Sequence, residues 1–353
     1  MAKLKKEFKT FYNDEVKYYA NKEIRDKKAD LKNDFTSNFP SKFKEYFGDD
    51  FSSGNIRFID QGSYAIGTTI NHENNAFDID VATILELDVK KYTNPIEVKK
   101  IARDALSSTN RTPIIKKPCI TVKYTKAEEE KYHIDFPIYA SWNGLLYLSR
   151  GNEFSSEEYR LWEDADPEGL NDYFKTENLQ LEGQNLNDDE KEKRNQKRRV
   201  IRYLKWWKAE KYGNPQSDNE VPPSIALTIL VCCYFQHSKI DGECNDLDAL
   251  FKTVKKIVDT IFYDGINDDG NVVKKVIECK LPRTPYSDCF SKLKLSDNHV
   301  QKFYDKLEYL RKQLEYAVNE SDERKAGEAI CKVLGEKFPL PEKDKANAQD
   351  SFA

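Results

Sequence analysis

Several features are scarce in this sequence of 353 residues, and each scarcity argues against a class of protein. Four His and seven Cys without a Cys-x-x-Cys pair argue against a structural zinc site and a disulfide framework. No apolar run approaches the roughly 18 residues that span a bilayer. The N-terminus carries Lys but no apolar segment of the secretory kind. These absences predict a soluble protein of a reducing compartment, and we expect it in the cytoplasm.

An excess of charge of one sign is also missing. The 57 Lys and Arg residues nearly balance 61 Asp and Glu residues, which leaves a net charge of −4. A global field that recruits nucleic acid or an anionic membrane is therefore not expected. The aromatic content is high, with 19 Phe, 20 Tyr and 4 Trp, so the chain can bury a core and is not expected to be disordered.

The N-terminal region is predicted to be helical. Residues 4–47 contain no Gly and a single Pro, Pro40, and their apolar side chains recur at helical spacing. This pattern predicts one or two long amphipathic helices, broken or bent near Pro40 and ended at Gly48. We expect these helices to brace the next domain.

The next region alternates strands with a helix. β-branched and aromatic residues with a period of two predict strands at 56–59, 76–85, 119–124 and 131–139. A helical pattern covers 95–107, and the polar stretch 141–190 is predicted to be irregular. The order of these elements predicts a mixed sheet with helices on one face.

Helical periodicity dominates the second half of the chain. The predicted helices are 191–212, 222–238, 246–262, 297–317 and 321–337. A Gly- and Asp-rich loop is predicted at 264–271. The predicted domains are N-terminal brace helices at 1–50, a core at 51–185, a helical lobe at 186–340 and a flexible tail at 341–353.

Three Asp residues carry the strongest chemical signal. If Phe77–Val81 is a strand, Asp78 and Asp80 share the face opposite its apolar residues, about 6.6–6.8 Å apart along the strand. The predicted strand 131–139 places Asp135 in the same way. If the two strands are neighbours, the three carboxylates form a cluster whose mutual repulsion Mg²⁺ relieves. Two unrelated solvated strand faces are the alternative interpretation.

A Gly-Ser turn precedes this cluster. Gln61, Gly62 and Ser63 follow the first predicted strand, and a turn of this type that opens a helix presents backbone N–H groups and a hydroxyl to phosphate. Gly-Ser is a common turn by itself. A Gly-Ser turn, then Asp-x-Asp in an apolar strand, then a third Asp in another strand is typical of polymerase-β-like nucleotidyltransferases.

Further motifs narrow this resemblance. The sequence is similar to the cGAS/DncV-like nucleotidyltransferases of bacteria at QGSY (61–64), FDID (77–80), HIDFPIYA (133–140), YLKWW (203–207) and PPSIAL (222–227). The similarity covers roughly residues 40–340. It implies an α+β fold, with a polymerase-β-like lobe built on a mixed sheet, N-terminal brace helices and a helical C-terminal lobe. Enzymes of that family make cyclic di- or trinucleotide signals for anti-phage (CBASS) defence.

The resemblance also implies roles for individual residues. Asp78, Asp80 and Asp135 would be catalytic and hold two Mg²⁺ ions, which Mn²⁺ could replace. Contacts with the donor nucleoside triphosphate, ATP among others, would come from Gln61, Gly62, Ser63, Thr68, Lys205 and Ser224. From the residues alone, Lys205 could equally be a solvated helix position and Ser224 a helix N-cap. His133 could lie at the edge of the site or serve as a structural hydrogen-bonding group.

Partners follow from the same resemblance. A product-sensing effector protein is implied, and ubiquitin-transfer-like enzymes could conjugate the C-terminal carboxylate at Ala353. No Cys/His insertion of the DNA-binding kind is present, so activation by double-stranded DNA is not implied. Residues 191–211 carry a local net charge of +8, which is interpreted as a solvated face beside nucleotides or as a nucleic-acid groove.

Two other functions use the same residues. One is a linear nucleotidyltransferase that modifies an RNA end, a protein or a small molecule. The other is a non-catalytic nucleotide or RNA sensor, against which the intact set of Asp residues argues. Base identity, linkage and ring size cannot be predicted from these motifs.

Overall fold

Ten α-helices and twelve strands form the described part of the chain, which consists of residues 4–19, 22–73, 77–109, 111–126, 129–179, 185–213, 215, 217–266 and 272–342 of the computed structural model. The helices are α1 Lys5–Phe11, α2 Lys22–Phe47, α3 Gly62–Ala65, α4 Pro95–Leu106, α5 Pro167–Asp172, α6 Asp188–Lys211, α7 Ser224–Tyr234, α8 Asp246–Ile261, α9 Asp297–Asn319 and α10 Glu323–Leu334. The strands are β1 Ile56–Gln61, β2 Phe77–Glu86, β3 Ile114–Ile115, β4 Ile120–Lys126, β5 Glu129–Phe136, β6 Ile138–Trp142, β7 Leu145–Arg150, β8 Leu161–Ala165, β9 Lys239–Ile240, β10 Glu243–Cys244, β11 Phe262–Ile266 and β12 Val272–Ile277.

The main sheet is mixed, as predicted. Strand β2 pairs antiparallel with β1 and parallel with both β5 and β6. The predicted strand 131–139 is divided at Pro137, whose ring lacks the N–H that a continuous ladder needs. Pro137 still accepts a hydrogen bond from the backbone N–H of Thr83 at 2.9 Å. Both halves of the divided strand therefore stay aligned along β2.

The prediction of an irregular stretch at 141–190 is wrong for much of its length. Strands β7 and β8 extend the sheet there, and α5 follows them. The β6–β7 turn is Asn143-Gly144, with φ angles of +50° and +76°. Asn-Gly is a favoured two-residue hairpin turn because both positions tolerate positive φ, so this signal was present in the sequence. A loop was predicted at 264–271, but residues 264–266 belong to strand β11. Residues 267–271 lie outside the described residues.

The N-terminal helices divide between two cores. Helix α1 buries Phe8 and Phe11 in the core of the helical lobe, whereas α2 buries Phe35, Phe39 and Phe43 against the sheet. A break or a bend was predicted near Pro40, and the break is wrong, because helix α2 continues through that residue. Burial of the phenylalanine stripe offsets the missing backbone hydrogen bond. The helix ends before Gly48, as predicted, where φ is +76°.

The helical lobe packs around the middle of α6. Trp206 and Trp207 are fully buried there, and the Trp206 indole N–H donates to the carbonyl of Leu334 at 2.8 Å. Predicted helix ends agree with the structure to within a few residues for α6 to α10. All seven cysteines are free thiols, in line with the prediction of no disulfide framework. Among the described residues, no helix has both the length and the apolar character to cross a membrane. Residues 343–353 of the predicted tail, including Ala353, lie outside the described residues.

Candidate active site

The three predicted Asp residues lie on paired strands. In the parallel register of β2 and β5, Asp78 is opposite His133 and Asp80 is opposite Asp135. The alternate residues of both strands, Ile79, Val81, Ile134 and Phe136, are fully buried in the core on the other face of the sheet. Apolar burial therefore fixes which face of the sheet receives the carboxylates.

Asp78, His133 and Asp135 bring ligand atoms within 4.8 Å of one another. Nε2 of His133 lies 3.2 Å from Oδ1 of Asp78 and 4.0 Å from Oδ2 of Asp135. The hydroxyl of Thr121 on β4 donates to Oδ1 of Asp135 at 2.6 Å, which orients that carboxylate. His133, for which the sequence left two roles open, thus lies inside the cluster.

Asp80 lies beside this group, opposite Asp135 in the sheet, and the three carboxylates repel one another. Burial, together with the charges of Asp78 and Asp135, raises the pKa of Asp80 to about 8. Burial and Asp78 also raise the pKa of Asp135, and the hydrogen bond to Asp78 raises the pKa of His133. Buried, mutually repelling carboxylate oxygens are suitable ligands for a divalent cation. The donor set therefore fits the metal ions that the family resemblance implies.

Gly62 makes the closest approach to this cluster. Its φ is +69°, and a Cβ atom at this position would lie 1.9 Å from Oδ2 of Asp80. Gln61 pairs with Asp80 in the β1–β2 register, and its side chain accepts a hydrogen bond from the Tyr139 hydroxyl at 3.4 Å. Only glycine therefore allows the turn to pass directly over the Asp80 carboxylate.

The Gly-Ser turn opens the short helix α3, as the motif predicts. Oγ of Ser63 lies 3.2 Å from Oγ1 of Thr69, and the Ser63 carbonyl accepts a hydrogen bond from the N–H of Thr68 at 2.8 Å. Thr68 is fully buried, and its Oγ1 accepts a hydrogen bond from the Lys205 amine at 3.0 Å. These contacts connect the turn in the sheet lobe with helix α6 in the helical lobe.

Helices α6 and α7 form the opposite side of the site. The Lys205 side chain is buried, so the alternative interpretation of a solvated helix position is wrong. Ser224 begins α7, but Pro223 is the N-cap, so Ser224 does not act as the cap. Its hydroxyl instead accepts a hydrogen bond from Lys208 at 2.9 Å. Burial lowers the pKa of Lys205 to about 7 and that of Lys208 to about 8.

A single cavity of about 590 Å³ joins these groups. Eight of the nine predicted site residues line it: Gln61, Gly62, Ser63, Thr68, Asp78, Asp80, Lys205 and Ser224. Asp135 lies beside it in the carboxylate cluster. The wall also includes residues that the sequence prediction did not assign to the site, among them Tyr139, Asn171, Phe174, Lys208 and Ile225. Only Lys208 had a usable signal, because it follows Lys205 by three residues on a predicted helix.

The basic side chains of α6 make contacts of different kinds. Arg199 makes two hydrogen bonds of 2.6 and 2.8 Å to the carboxylate of Asp246, which is a structural ion pair. Arg202 is buried against the ring and hydroxyl of Tyr12. Arg198 donates to the carbonyl of Gly67 at 3.4 Å, close to Thr68. Several of these charges thus lie in packed contacts and not on a continuous basic groove.

Comparisons with known proteins agree with this geometry. Residues 56–139 match the family model described as "Cyclic GMP-AMP synthase DncV-like, nucleotidyltransferase domain". The match spans β1 to β6 and so contains the Gly-Ser turn and all three Asp residues. These residues therefore match a DncV-like nucleotidyltransferase domain, which confirms the predicted resemblance and the predicted class of enzyme, a nucleotidyltransferase.

Solved structures show the same fold along nearly the whole chain. The Vibrio cholerae DncV cyclic AMP-GMP synthase, in complex with the linear intermediate pppA(3′,5′)pG, is 17% identical with a TM-score of 0.64, over 96% of this chain and 98% of that chain. Escherichia coli DncV in its 3′-deoxy GTP bound form is 16% identical with a TM-score of 0.63, over 94% and 97%. CdnC of E. coli MS115-1 with ATP is 16% identical with a TM-score of 0.62, over 96% and 99%. The predicted α+β fold is confirmed.

Proposed function

We propose that this chain joins nucleoside triphosphates into a cyclic di- or trinucleotide that serves as a second messenger. The observation that carries the proposal is the cavity itself, in which a carboxylate cluster, a Gly-Ser turn and buried lysines face one another. A site of this kind fits a nucleotide whose phosphates lie between cations and amines. The solved relatives named above hold a linear dinucleotide, a GTP analogue or ATP, which supports nucleotides as the substrates.

Metal ions belong to this proposal. Asp78, Asp80 and Asp135 would hold two Mg²⁺ ions, with His133 adjacent, and Mn²⁺ could take their place. When bound, such ions supply charge stabilisation for the attacking and leaving oxygens of an in-line displacement. The fit rests on the ligand atoms of Asp78, His133 and Asp135, which lie within 4.8 Å of one another. The raised pKa values of Asp80 and Asp135 agree with it.

The residues of the chain hold the reacting groups in position. The turn at Gly62 and Ser63, together with Thr68 and Lys205, holds the donor triphosphate. A ribose hydroxyl of the acceptor forms a new bond to the donor α-phosphorus, the bond between the α- and β-phosphates breaks, and pyrophosphate leaves. Asp135 would help to hold a metal ion that lowers the pKa of this hydroxyl, so that its proton is lost to solvent as the new bond forms. A second bond of the same kind closes the ring.

The biological setting is a proposal by resemblance. A cyclic product would act on an effector protein in CBASS anti-phage defence, and conjugation of Ala353 by ubiquitin-transfer-like enzymes stays a prediction. Double-stranded DNA is not required in this proposal, because charges such as those of Arg199 and Arg202 already have protein partners.

Product analysis tests the proposal. The purified protein is incubated with all four nucleoside triphosphates and Mg²⁺, the mixture is treated with phosphatase, and resistant products are identified by mass spectrometry. We expect a resistant product because a cyclic oligonucleotide has no terminal phosphate. Products that lose terminal phosphates to the phosphatase, seen as a fall in their mass, would instead support the linear nucleotidyltransferase. Absence of any transfer, with nucleotide binding intact, would support a non-catalytic sensor.

A further inference from the structure

A second lysine, Lys208, lies in the cavity beside Lys205, and the family motifs give it no role. The two residues are three positions apart on α6, so their side chains lie on neighbouring parts of one helix face. Both line the cavity wall. The Lys208 amine donates to Oγ of Ser224 at 2.9 Å, whereas the Lys205 amine donates to Thr68.

The amines of Lys205 and Lys208 lie together at one end of the cavity. Within the described ranges, neither Lys205 nor Lys208 has an acidic side chain at ion-pair distance, and their hydrogen-bond acceptors are neutral oxygens. Burial lowers the pKa of both amines, and Lys208 contributes to the lowering at Lys205. Amines removed from water in this way favour an anionic ligand, because its oxygens replace the hydrogen bonds and charge stabilisation that water would provide.

A chain of contacts places Lys208 at the far end of the site. Asp80 lies against Gly62, Ser63 follows in the turn, and the Ser63 carbonyl accepts the N–H of Thr68. Thr68 accepts a hydrogen bond from the Lys205 amine, and Lys208 follows Lys205 by about one turn of α6. In agreement, burial lowers the pKa of both lysines, and the carboxylates of Asp80 and Asp78 oppose this lowering at Lys205. The order is therefore carboxylates, turn, Lys205, Lys208.

A donor triphosphate has the same order of parts. Its α-phosphate reacts and must lie at the carboxylates, so its β- and γ-phosphates extend toward the lysines. We propose that Lys208, held by Ser224, binds the terminal phosphate and makes the site select nucleoside triphosphates over diphosphates. This inference rests on the proposed function, because that function places the α-phosphate at the Asp residues.

Binding measurements with unreactive nucleotides test the role of Lys208. The probes are α,β-methylene-ATP and α,β-methylene-ADP in the presence of Mg²⁺, measured by titration calorimetry. We expect Lys208→Met to weaken binding of the triphosphate by about 10- to 100-fold, since one charge-assisted contact is lost. Binding of the diphosphate should change by less than about 3-fold, because its last phosphate ends near Lys205.

Lys211→Met is the matched control on the same helix. The Lys211 amine donates to the carbonyl of Lys332 at 2.7 Å and does not line the cavity. This variant should bind both analogues as the wild type does. Melting temperature provides a readout independent of binding. Methionine has a similar length and no charge to desolvate, so Lys208→Met should melt no lower than the wild type.

The outcomes separate this inference from the proposed function. A Lys208→Met protein that keeps the wild-type ratio of the two affinities would overturn the inference, as would equal losses for both analogues. A wild type that prefers the triphosphate through Lys208 but forms no cyclic product would overturn the proposed function alone. A wild type that binds neither analogue would overturn both.

Discussion

The two ends of the cavity hold buried ionisable groups of opposite kinds. At one end, burial and mutual repulsion raise the pKa of Asp80 to about 8. At the other end, burial lowers the pKa of Lys205 to about 7 and that of Lys208 to about 8. Each end would be stabilised by a ligand of the opposite sign, and a metal–triphosphate complex offers both signs in one molecule. The difference shows that this site is arranged for its ligand more than for the stability of the free protein.

Removal of charge at the carboxylate end should have the largest effect. The double change Asp78→Asn and Asp80→Asn should lower nucleotide transfer by at least about 1,000-fold, because two of the groups proposed to hold the metal ions are lost. Transfer is measured with radiolabelled ATP. The metal-free variant should be no less stable than the wild type in urea, since repelling charges have been removed. Asp26→Asn, an exposed change on α2, is the control, and normal transfer by the double variant would refute the assignment.

A smaller but still large effect is expected at the turn. Gly62→Ala would place Cβ against the Asp80 carboxylate, whereas Gly48→Ala has a similar positive φ and nothing within 4 Å. Both changes should cost about 1 kcal/mol of stability from backbone strain. Only Gly62→Ala should also lower the transfer rate, by about 100-fold, because it displaces the Asp80 carboxylate, to which the proposed function gives a catalytic role. Equal transfer rates in the two variants would argue against a special role of this contact.

The pH dependence of stability should distinguish the two ends, beginning with the carboxylates. In the metal-free protein, Asp80 binds its proton up to about pH 8, whereas the unfolded chain loses it near pH 3.8. The folded state therefore binds more protons between these values, and the free energy of unfolding should fall as pH rises through this window. Asp135 and His133 act in the same direction. Asp80→Asn should flatten this fall by at least about 1 kcal/mol, measured by urea unfolding with a chelator present.

At the lysine end, the free energy of unfolding should change with pH in the opposite direction. Lys205 loses its proton near pH 7 in the folded state and near pH 10.5 when unfolded. The unfolded state therefore binds more protons between these values, so the free energy of unfolding should rise with pH over this range. Lys205→Met should flatten the alkaline rise and leave the acidic fall in place. If Lys205→Met altered the acidic fall and not the alkaline rise, the assignment of charge to the two ends would be wrong.

The smallest expected effect concerns the arginines behind the site. Arg198 contacts the carbonyl of Gly67 only at 3.4 Å, so Arg198→Ala should raise the KM for nucleoside triphosphates by a few-fold. Arg199→Ala should leave KM unchanged but lower stability by about 3 kcal/mol, because it leaves the buried Asp246 carboxylate unpaired. Steady-state kinetics and urea unfolding of both variants separate these roles. Stimulation of the wild type by long nucleic acid, lost in both variants, would favour a sensing groove instead.

Much of the fold could be predicted from local patterns. Strands around Asp78 and Asp135 have a strict alternation of apolar and polar residues, and α6 to α10 have clear helical periodicity. The prediction failed in two places: where tertiary packing outweighed a local preference, and where a turn signal in the sequence was not recognised. Pro40 did not break α2 because its phenylalanines pack on the sheet, and the Asn143-Gly144 turn was not recognised between β6 and β7.

The sequence by itself determined the resemblance to the family, the Gly-Ser turn and the positions of the three Asp residues, because these depend on short motifs within single strands and turns. Tertiary structure decided what no local pattern contains. It placed His133 opposite Asp78, brought α6 against the turn through Lys205 and Thr68, and paired Lys208 with Ser224. These contacts join residues far apart in the chain, so they exist only once the sheet lobe and the helical lobe pack together.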